Sequence, residues 1–246
     1  MKGTTPAGAQ TEQEAARWVR GMFGRIAPRY DLANHVLSCN IDHRWRAHTV
    51  RRVQHVLDRP DARVLDMCCG TGDLALALAS GRAAVLGSDF CHPMLVAANQ
   101  KIAHRGARVS LFESDALNLP LRDGSLDLFT VAFGFRNFAN YAAGLAEIRR
   151  VLRPGGTAAI LEFSQPPNRA FAALYRWYSR RILPLIGGAL TGNPDAYTYL
   201  PESVRKFPDA PQLAEDLRGA GFQDVKFEYL TGGIVALHTG VMRKTD

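Results

Sequence analysis

The sequence predicts a doubly wound α/β fold with a largely parallel sheet, and three observations carry that prediction. Short apolar runs that suit strands alternate with longer runs that suit helices from Arg63 to Phe163. The runs at 125–133 and 157–163 are nearly all apolar, as parallel strands covered on both faces are. The first strand leads into a Gly-Thr-Gly turn at 70–72, where open α/β sheets bind their ligands.

Each predicted element rests on a local pattern. Apolar or alternating runs of about six residues predict strands, and longer amphipathic runs predict helices. Pro93 falls in the first turn of its helix, where a missing N–H is tolerated. The predicted elements are, in order, strand 63–68, helix 73–80, strand 83–89, helix 92–105, strand 107–115, strand 125–133, helix 141–152, a turn at 153–156 and strand 157–163.

The remainder of the chain does not continue the alternation of strand and helix patterns. After Phe163 the sequence shows no strand pattern for some forty residues and reads as helix, loop and helix. A further helix begins at the capping residue Asp209 and ends at Gly221. Two strand patterns then flank Thr231–Gly233 and predict a hairpin. We therefore expect a mostly parallel seven-stranded sheet whose last hairpin is antiparallel.

The same patterns suggest the domain organisation. Residues 1–16 are expected to form a disordered leader, and residues 17–246 a single domain. Within that domain we expect an N-terminal helical cap at 17–60 and a helical insert at 164–205. The 246 residues and their 47% hydrophobic content are enough to bury one sizeable core.

Charge is concentrated in two segments of this basic chain, whose net charge is +7. Eight arginines and two acids lie between Arg17 and Arg52, and four arginines and no acid between Phe163 and Pro194. The four cysteines have neither C-x-x-C nor zinc-site spacing, so we expect reduced thiols and no metal. With no secretory signal or apolar span of 18 residues, we expect a cytoplasmic protein.

The turn after the first strand predicts a ligand site. Gly70 and Gly72 lack Cβ atoms, so a ligand can approach the backbone closely. The N-terminus of the following helix faces the same crevice. Asp89 ends the second strand about 20 residues later, in the position that binds a ribose hydroxyl pair. The sequence G-T-G-D-L-A also fits a dinucleotide motif, so that class of cofactor stays open at this point.

The distribution of acids favours a cofactor without phosphate. Asp66 precedes the turn, where a carboxylate can receive an ammonium group. Asp73 lies where a pyrophosphate would need the helix N-terminus, and its charge would repel one. Asp115 follows the third strand and suits an adenine amino group. S-adenosylmethionine has a cationic end, a ribose and an adenine, and it fits this set.

Several motifs of the chain occur together in one known family. They are VLDMCCGTGDLALALA, FGRIAPRYDLANHVLSCNIDHRWR, FGFRN, LEFSQP and YLPESVRKFPD. By these motifs the chain, from about Phe23 to Gly240, resembles the quinone-biosynthesis C-methyltransferases, which methylate the ring carbon of ubiquinone and menaquinone precursors. Many methyltransferases share the first motif, whereas the others together are far more specific.

The resemblance implies a Rossmann-like class I methyltransferase that uses S-adenosylmethionine and acts on a reduced prenylated quinone precursor. That substrate is demethylmenaquinol, the methoxy-benzoquinol precursor of ubiquinol, or both. The implied cofactor contacts are Asp66, Gly70, Thr71, Gly72, Asp89, Asp115, Ala116 and Ala132. Arg136 and Asn137 are implied at the reacting ring, where Arg136, a poor proton acceptor, orients the quinol oxygen and stabilises a phenolate. Tyr30, Asp31 and His43 are expected on the substrate side.

Alternatives remain open for individual residues. Arg136 also fits a structural ion pair, and Asp66 and Asp115 also fit helix caps. His43 and His238 are rival proton acceptors, although a lone histidine on an apolar strand is more typical of a core residue.

The chain departs from the family pattern at three positions. Cys68 replaces a common glycine, which predicts a negative φ there. Ala132 stands where the family often has a serine, which removes a hydroxyl contact to the cofactor. Pro28 precedes the Arg29-Tyr30-Asp31 motif and is expected to stiffen that loop.

The acid-free segment 171–188 mixes aromatic residues with arginines. It fits a helix that covers the sheet, and it also fits an element lying peripherally on an anionic membrane that holds the substrate. The rival functions are another small-molecule or RNA methyltransferase, and a non-catalytic membrane- or nucleic-acid-binding protein that keeps a vestigial cofactor fold. The stretch AFGFRN disfavours amino methylation, and we expect no nucleic-acid partner. Whether the chain forms a homodimer stays open.

Overall fold

A seven-stranded sheet forms the centre of the protein in a computed structural model that describes residues 3–6, 8–191 and 194–243. Its strands are β1 (Arg63–Met67), β2 (Ala84–Asp89), β3 (Val109–Glu113), β4 (Leu126–Ala132), β5 (Leu152–Phe163), β6 (Phe222–Leu230) and β7 (Val235–Met242). Their order is β3-β2-β1-β4-β5-β7-β6. Neighbours from β3 to β5 pair in parallel, and β7 runs antiparallel to both β5 and β6. The predicted sheet and its closing hairpin are therefore confirmed.

Helices cover both faces of the sheet and its carboxyl end. They are α1 (Glu12–Ile26), α2 (Tyr30–Leu37), α3 (Ile41–Leu57), α4 (Asp73–Leu78), α5 (His92–Arg105), α6 (Tyr141–Val151), α7 (Arg169–Arg181), α8 (Leu183–Thr191), α9 (Pro194–Lys206) and α10 (Ala210–Gly219). Helices α1–α3 occupy the segment expected as a cap, and α7–α9 the segment expected as an insert. None of the helices in the described part of the chain is long and apolar enough to cross a membrane.

The two central strands divide the core into two layers. Val64 of β1 and Leu128 of β4 pack in one cluster, and their neighbours Leu65 and Phe129 pack in the other. All four are completely buried, because successive strand residues point to opposite faces and helices cover both. Strand order reverses between β1 and β4, so the crevice expected for a ligand opens at their carboxyl ends.

The cap and the insert meet above that crevice. Val19 and Met22 of α1 share one buried cluster with Leu183 of α8, Tyr199 of α9 and Met94 of α5. These side chains come from segments that lie far apart in the sequence. The cluster therefore forms a helical roof over the sheet edge.

Two boundaries differ from the sequence-based expectation. The turn predicted at 153–156 lies inside β5, because Leu126 pairs with Leu152 and Leu128 already pairs with Thr157. This register shift places the extra residues in a bulge. The expected leader over 1–16 ends early, since Thr11 caps α1 through a capping box with Glu14.

The segment before α1 is also tied to the fold. The backbone N–H of Thr4 donates to Phe138 O at 2.8 Å, and the Thr4 hydroxyl hydrogen-bonds the Tyr199 hydroxyl at 2.6 Å. Thr4 is 7% exposed. Within the expected leader, Thr4 is therefore tied to the fold and α1 begins at Glu12, whereas residues 1, 2 and 7 lie outside the described residues.

Candidate functional site

The turn after β1 is built from left-handed backbone. Cys68, Gly70 and Gly72 have φ values of 53°, 55° and 86°. The negative φ expected for Cys68 is therefore wrong. The chain reverses immediately after β1 so that Cys69 N–H donates to Ser88 O at 2.9 Å and Gly72 N–H to Cys69 O at 2.8 Å. These bonds hold Cys68 in a conformation that costs a non-glycine residue roughly 1–2 kcal/mol.

The thiols of this turn are packing groups. A Cβ atom on Gly134, in the FGFRN motif, would lie 2.4 Å from Cys68 Cβ, so the two backbones approach closely. Burial raises the pKa of the Cys68 and Cys69 thiols well above the ordinary range. Neither thiol is therefore activated as a nucleophile.

Asp89, at the end of β2, accepts a hydrogen bond from the turn after β1. Its Oδ2 accepts from the Gly70 backbone N–H at 2.9 Å, and its Oδ1 accepts from the Cys91 backbone N–H at 2.9 Å. Each carboxylate oxygen keeps a further lone pair for a ligand. Burial raises the pKa of Asp89 to about 6, although these backbone bonds oppose the shift.

Asp66 lies beneath the turn and is completely buried. Its Oδ1 accepts from the Thr130 hydroxyl at 2.9 Å, whereas its Oδ2 has no hydrogen-bond partner among the described residues. Burial raises the pKa of Asp66 to about 7. A buried acceptor without a donor costs free energy, so this carboxyl group is suited to a cationic or hydrogen-bonding ligand.

A cavity of about 1020 Å³ opens at the carboxyl ends of β1, β2 and β4, and we call it the sheet-edge cavity. The sequence-predicted residues that line it are Tyr30, Gly70, Asp89, Asp115, Ala132 and Asn137. Asp115 is exposed, and its Oδ1 accepts from the Leu117 backbone N–H at 2.9 Å. Asp66, Thr71, Gly72 and Ala116 do not line this cavity in the described structure.

Lys101 of α5 is a central contact that the sequence did not predict. Its Nζ lies 2.6 Å from Asp31 Oδ2, 2.6 Å from Asp73 Oδ1 and 3.2 Å from Thr71 Oγ1. The Thr71 hydroxyl also donates to Asp31. Asp31, expected on the substrate side, therefore ties α2 to the Gly-Thr-Gly turn, and it is not among the described residues that line either cavity. Asp73 is ion-paired, so its charge no longer argues against a pyrophosphate.

A second cavity of about 1270 Å³ lies under the helical roof, and we call it the helix-walled cavity. It shares Phe23, Tyr30 and Phe133 with the sheet-edge cavity, so the two adjoin there. Its wall is mainly aromatic and aliphatic, with few polar groups such as those of Arg46, Asp42 and Arg136. The aromatic members include Trp45, Phe163, Tyr175, Tyr178 and Tyr199.

Arg136 supplies a buried cation to the helix-walled cavity. Its Nη1 lies 3.0 Å from Glu162 Oε1, and its Nε donates to Ser203 Oγ at 3.3 Å. The Arg136 backbone N–H also donates to Glu162 Oε2 at 3.1 Å. Burial alone would lower the pKa of Arg136, but Glu162 raises it above the usual value, so the guanidinium stays charged. Arg136 is thus an ion-pair partner that also lines the helix-walled cavity, and its role at a reacting ring stays a prediction.

Asn137 belongs to the sheet-edge cavity rather than to the same wall as Arg136. Its Oδ1 accepts from the Tyr199 hydroxyl at 2.9 Å, and that hydroxyl also contacts Thr4. This chain of bonds joins the strand-end motif FGFRN to α9 and to the N-terminal segment. Tyr199 was not predicted as a site residue, because nothing in the local pattern of α9 distinguishes it.

The two rival histidines have other environments. His43 is exposed and stacks on His35 with ring centroids 4.4 Å apart, and it is not among the described residues that line either cavity. His238 is buried in β7, where its Nε2 hydrogen-bonds Ala210 O at 2.9 Å. Burial lowers the pKa of His238 to about 4. His238 is therefore a core residue.

His35, Asp42 and His43 bring three ligand-type atoms within 4.8 Å of one another. Asp42 already accepts hydrogen bonds from Ser38 Oγ at 2.7 Å and from Arg46. Although burial opposes the shift, these contacts hold the pKa of Asp42 below its usual value. An arginine on the carboxylate disfavours a cation there, so this cluster organises the junction of α2 and α3.

The chain is similar to known methyltransferases. Residues 9–242 match the ubiE/COQ5 methyltransferase family. A protein of Thermus thermophilus named demethylmenaquinone methyltransferase is 50% identical over 222 residues, which cover 89% of this chain and 99% of that protein. A protein of Syntrophotalea carbinolica named ubiquinone/menaquinone biosynthesis C-methyltransferase UbiE is 44% identical over 90% of this chain and 92% of its own length.

The fold is also similar to solved structures. A SAM-dependent methyltransferase from Aquifex aeolicus matches with a TM-score of 0.58 at 19% identity, over 79% of this chain and 89% of that one. At that identity the likeness concerns the fold alone. It agrees with the strand order and the antiparallel final hairpin described above.

Proposed function

Because the chain belongs to the ubiE/COQ5 methyltransferase family, we propose that it transfers a methyl group from S-adenosylmethionine to a ring carbon of a reduced prenylated quinone. Demethylmenaquinol is the first candidate substrate, since two relatives of 50% and 44% identity are named demethylmenaquinone methyltransferase. The observation that carries the proposal is the junction of the two cavities at Tyr30 and Phe133, with the buried cation Arg136 in the apolar one.

The residues of the sheet-edge cavity fit S-adenosylmethionine. Asp89 offers free lone pairs beside Gly70, which suits a ribose hydroxyl pair, and the exposed carboxylate of Asp115 suits an adenine amino group. Asp66 does not line the cavity, but its unpartnered Oδ2 is buried behind the cavity wall and is suited to attract the ammonium end. Thr71, Gly72, Ala116 and Ala132 shape and support the wall. When bound, the cofactor supplies a methyl group already activated by the sulfonium.

The helix-walled cavity suits the quinol ring and the start of its prenyl tail. Its aromatic wall binds a flat apolar ring and keeps water away from it. Near Tyr30 and Phe133 a ring would meet the sheet-edge cavity, so the roof residues align the ring with the methyl donor, as in-line transfer requires. Asn137 fixes the wall there through its bond to Tyr199.

Arg136 is the residue that we assign to the ring oxygen. A ring carbon becomes nucleophilic when the neighbouring hydroxyl loses its proton, and a buried guanidinium stabilises the phenolate that forms. Because Glu162 and Ser203 fix the side chain, little reorganisation is needed when that charge develops. Arg136 holds this charge but accepts no proton, since it stays protonated.

We also propose that the chain is a cytoplasmic protein that makes a peripheral contact with an anionic membrane surface. A prenylated substrate is dissolved in a bilayer, and α7 and α8 expose Leu174, Trp177 and Leu185. Arg181 and Arg176 lie beside Trp177 on the same helix. Aromatic and aliphatic side chains with arginines next to them favour the membrane interface.

The test is a product assay. The purified chain is incubated with methyl-labelled S-adenosylmethionine and either demethylmenaquinol or the methoxy-benzoquinol precursor, and mass spectrometry measures the product. We expect a gain of one methyl group on carbon, with the reduced quinols only, because the oxidised rings lack the activating hydroxyl. Transfer to neither quinol would contradict the proposal. Calorimetry with S-adenosylmethionine alone then separates a failed substrate assignment from a chain that has lost its cofactor.

A further inference from the structure

A third cavity, of about 1210 Å³, lies between α7, α9 and the segment that follows β5. We call it the arginine cavity, because four arginines line it: Arg169, Arg176 and Arg180 from α7, and Arg205 from α9. No acidic side chain is among the described residues that line it. None of the four takes part in an ion pair within the described part of the chain. Four guanidinium groups without counter-charges around one cavity form a region of positive potential.

Ser164 adds an independent observation. It lines the arginine cavity, is only 4% exposed, and its hydroxyl has no hydrogen-bond partner among the described residues. Its backbone N–H donates to Ile234 O at 2.8 Å, so the main chain there is fixed by the sheet. A buried hydroxyl without a partner costs free energy that a ligand acceptor would recover.

The chemistry of these groups indicates a phosphate. Guanidinium groups bind phosphate oxygens through paired N–H donors, and a hydroxyl donates to the same kind of oxygen. We propose that the arginine cavity binds the headgroup phosphate of an anionic phospholipid. This inference rests on the proposed function in one respect only: a membrane-borne substrate is what brings the chain to a bilayer.

Two features favour a lipid as the source of the phosphate. Leu174 and Trp177 are 60% and 57% exposed on the same helix as three of the arginines, so apolar groups can enter a bilayer beside the headgroup. Tyr175, Leu183 and Leu200 line both the arginine cavity and the helix-walled cavity. A headgroup bound by the arginines would therefore hold the helix-walled cavity next to the membrane that carries a prenylated substrate.

The experiment measures binding of the full chain to phosphatidylcholine vesicles with and without 30 mol% phosphatidylglycerol, a composition of roughly physiological negative surface potential. The test variant is Arg176→Gln/Arg180→Gln. The charge-matched control is Arg105→Gln/Arg108→Gln, which removes two exposed arginines, one at the C-terminal end of α5 and one just after it. We expect the test variant to bind roughly tenfold more weakly, and the control to change by less than about threefold, because surface charges away from the bilayer are screened.

A substitution that leaves the net charge unchanged distinguishes a specific phosphate site from general electrostatic attraction to the anionic membrane. Ser164→Ala keeps the charge of the chain and removes the unpartnered hydroxyl, so we expect a loss of roughly two- to fivefold in vesicle binding. Ser110→Ala, an exposed serine on β3, is its control and should bind like the unaltered chain. The site would be overturned if the test and the control arginine variants lost vesicle binding equally and Ser164→Ala lost none.

The source of the phosphate is tested with glycerol phosphate and inorganic phosphate at constant ionic strength. We expect glycerol phosphate to compete with vesicles only at millimolar concentration. Tight binding of free phosphate without vesicle binding would overturn the assignment to lipid. Because vesicle binding needs neither quinol nor cofactor, failure of the proposed methyl transfer would be recorded separately, by the product assay.

Discussion

The sheet-edge cavity and the helix-walled cavity hold their polar groups by different means. In the sheet-edge cavity, the backbone N–H groups of Gly70 and Cys91 hold Asp89, and both donors follow closely after strands of the sheet. In the helix-walled cavity, the side chains of Glu162 and Ser203 hold Arg136, and the roof is attached through side-chain packing. One region is thus set by main-chain geometry and the other by side-chain contacts.

This difference has consequences for ligand binding. A carboxylate held by backbone donors needs no further side chain to position it, so changes elsewhere in the chain should leave cofactor affinity unaltered. A guanidinium held by a buried ion pair depends on its partner, because a buried charge without a partner is costly. We therefore expect variants in the two cavities to separate cleanly into effects on the cofactor and effects on the quinol.

The largest expected effect comes from Arg136→Gln. Loss of the cation should lower kcat by roughly 10²- to 10³-fold and leave the Kd for S-adenosylmethionine within about threefold. Glu162 would remain buried without its partner, so the free energy of unfolding should fall by about 3–5 kcal/mol. Turnover, calorimetry and urea unfolding measure the three quantities.

A second variant separates chemistry from stability in this pair. Arg136→Gln/Glu162→Gln removes both charges and should recover most of the lost unfolding free energy but none of the turnover. If turnover returned along with stability, Arg136 would be a structural partner only. If cofactor affinity fell as much as turnover, the two cavities would not be independent.

The next effect concerns the cofactor side alone. Asp89→Asn should weaken S-adenosylmethionine binding by roughly 100-fold. The substitution removes the charged acceptor that would bind the ribose hydroxyls and that accepts from two backbone N–H groups. Calorimetry gives this affinity, and the KM for quinol should change by less than about threefold. Glu113→Gln is the control, because Glu113 is an exposed acid at the end of the neighbouring strand. A similar loss in the control would contradict the assigned role of Asp89.

The pH dependence of cofactor binding should report on Asp66. Its pKa of about 7 means that the free chain carries a proton there at lower pH, and an ammonium ligand prefers the ionised form. The Kd should therefore rise by up to about tenfold for each pH unit below 7. In Asp66→Asn the Kd should stay constant as the pH falls from 7.5, until the titration of Asp89 begins near pH 6. Equal slopes in both chains would exclude Asp66 as the responsible group.

The same shift affects stability in a predictable direction. The folded pKa of Asp66 is raised, so between about pH 4 and 7 the folded chain binds a proton that the unfolded chain has released. The contribution of this group to the free energy of unfolding therefore falls as pH rises through that window and is constant above it. Urea unfolding of the unaltered chain and of Asp66→Asn measures the difference.

The smallest expected effect comes from Lys101→Met. Without Lys101, the acids Asp31 and Asp73 repel each other and α2 is tied less firmly to the turn, so Tyr30 is positioned less well. We expect a rise of roughly three- to tenfold in the quinol KM, in keeping with the loss of a partly buried ion pair. Lys226→Met removes an exposed lysine on β6 and should behave like the unaltered chain. A larger effect on cofactor affinity than on KM would place Lys101 with the sheet-edge cavity.

Much of the sheet-edge cavity follows from local sequence. Gly70 and Asp89 occupy positions that strand ends and a tight turn define, and helix α5 begins and ends where its pattern predicts. The φ of Cys68 did not follow from residue type, because the hydrogen bond from Cys69 to Ser88 on the next strand imposes it. A local preference of 1–2 kcal/mol is too small to resist such long-range bonds.

The sequence by itself determined the α/β class, the seven strands and the acids at the strand ends, because periodicity and turn residues are local properties. Only the tertiary structure decided which charges meet. Lys101 joins Asp31 and Asp73, and Arg136 joins Glu162, across 26 to 70 positions of chain, and no local pattern encodes such partners. The arginine cavity is likewise a product of tertiary packing, since helix packing alone brings Arg205 to the arginines of α7 and leaves the Ser164 hydroxyl buried without a partner.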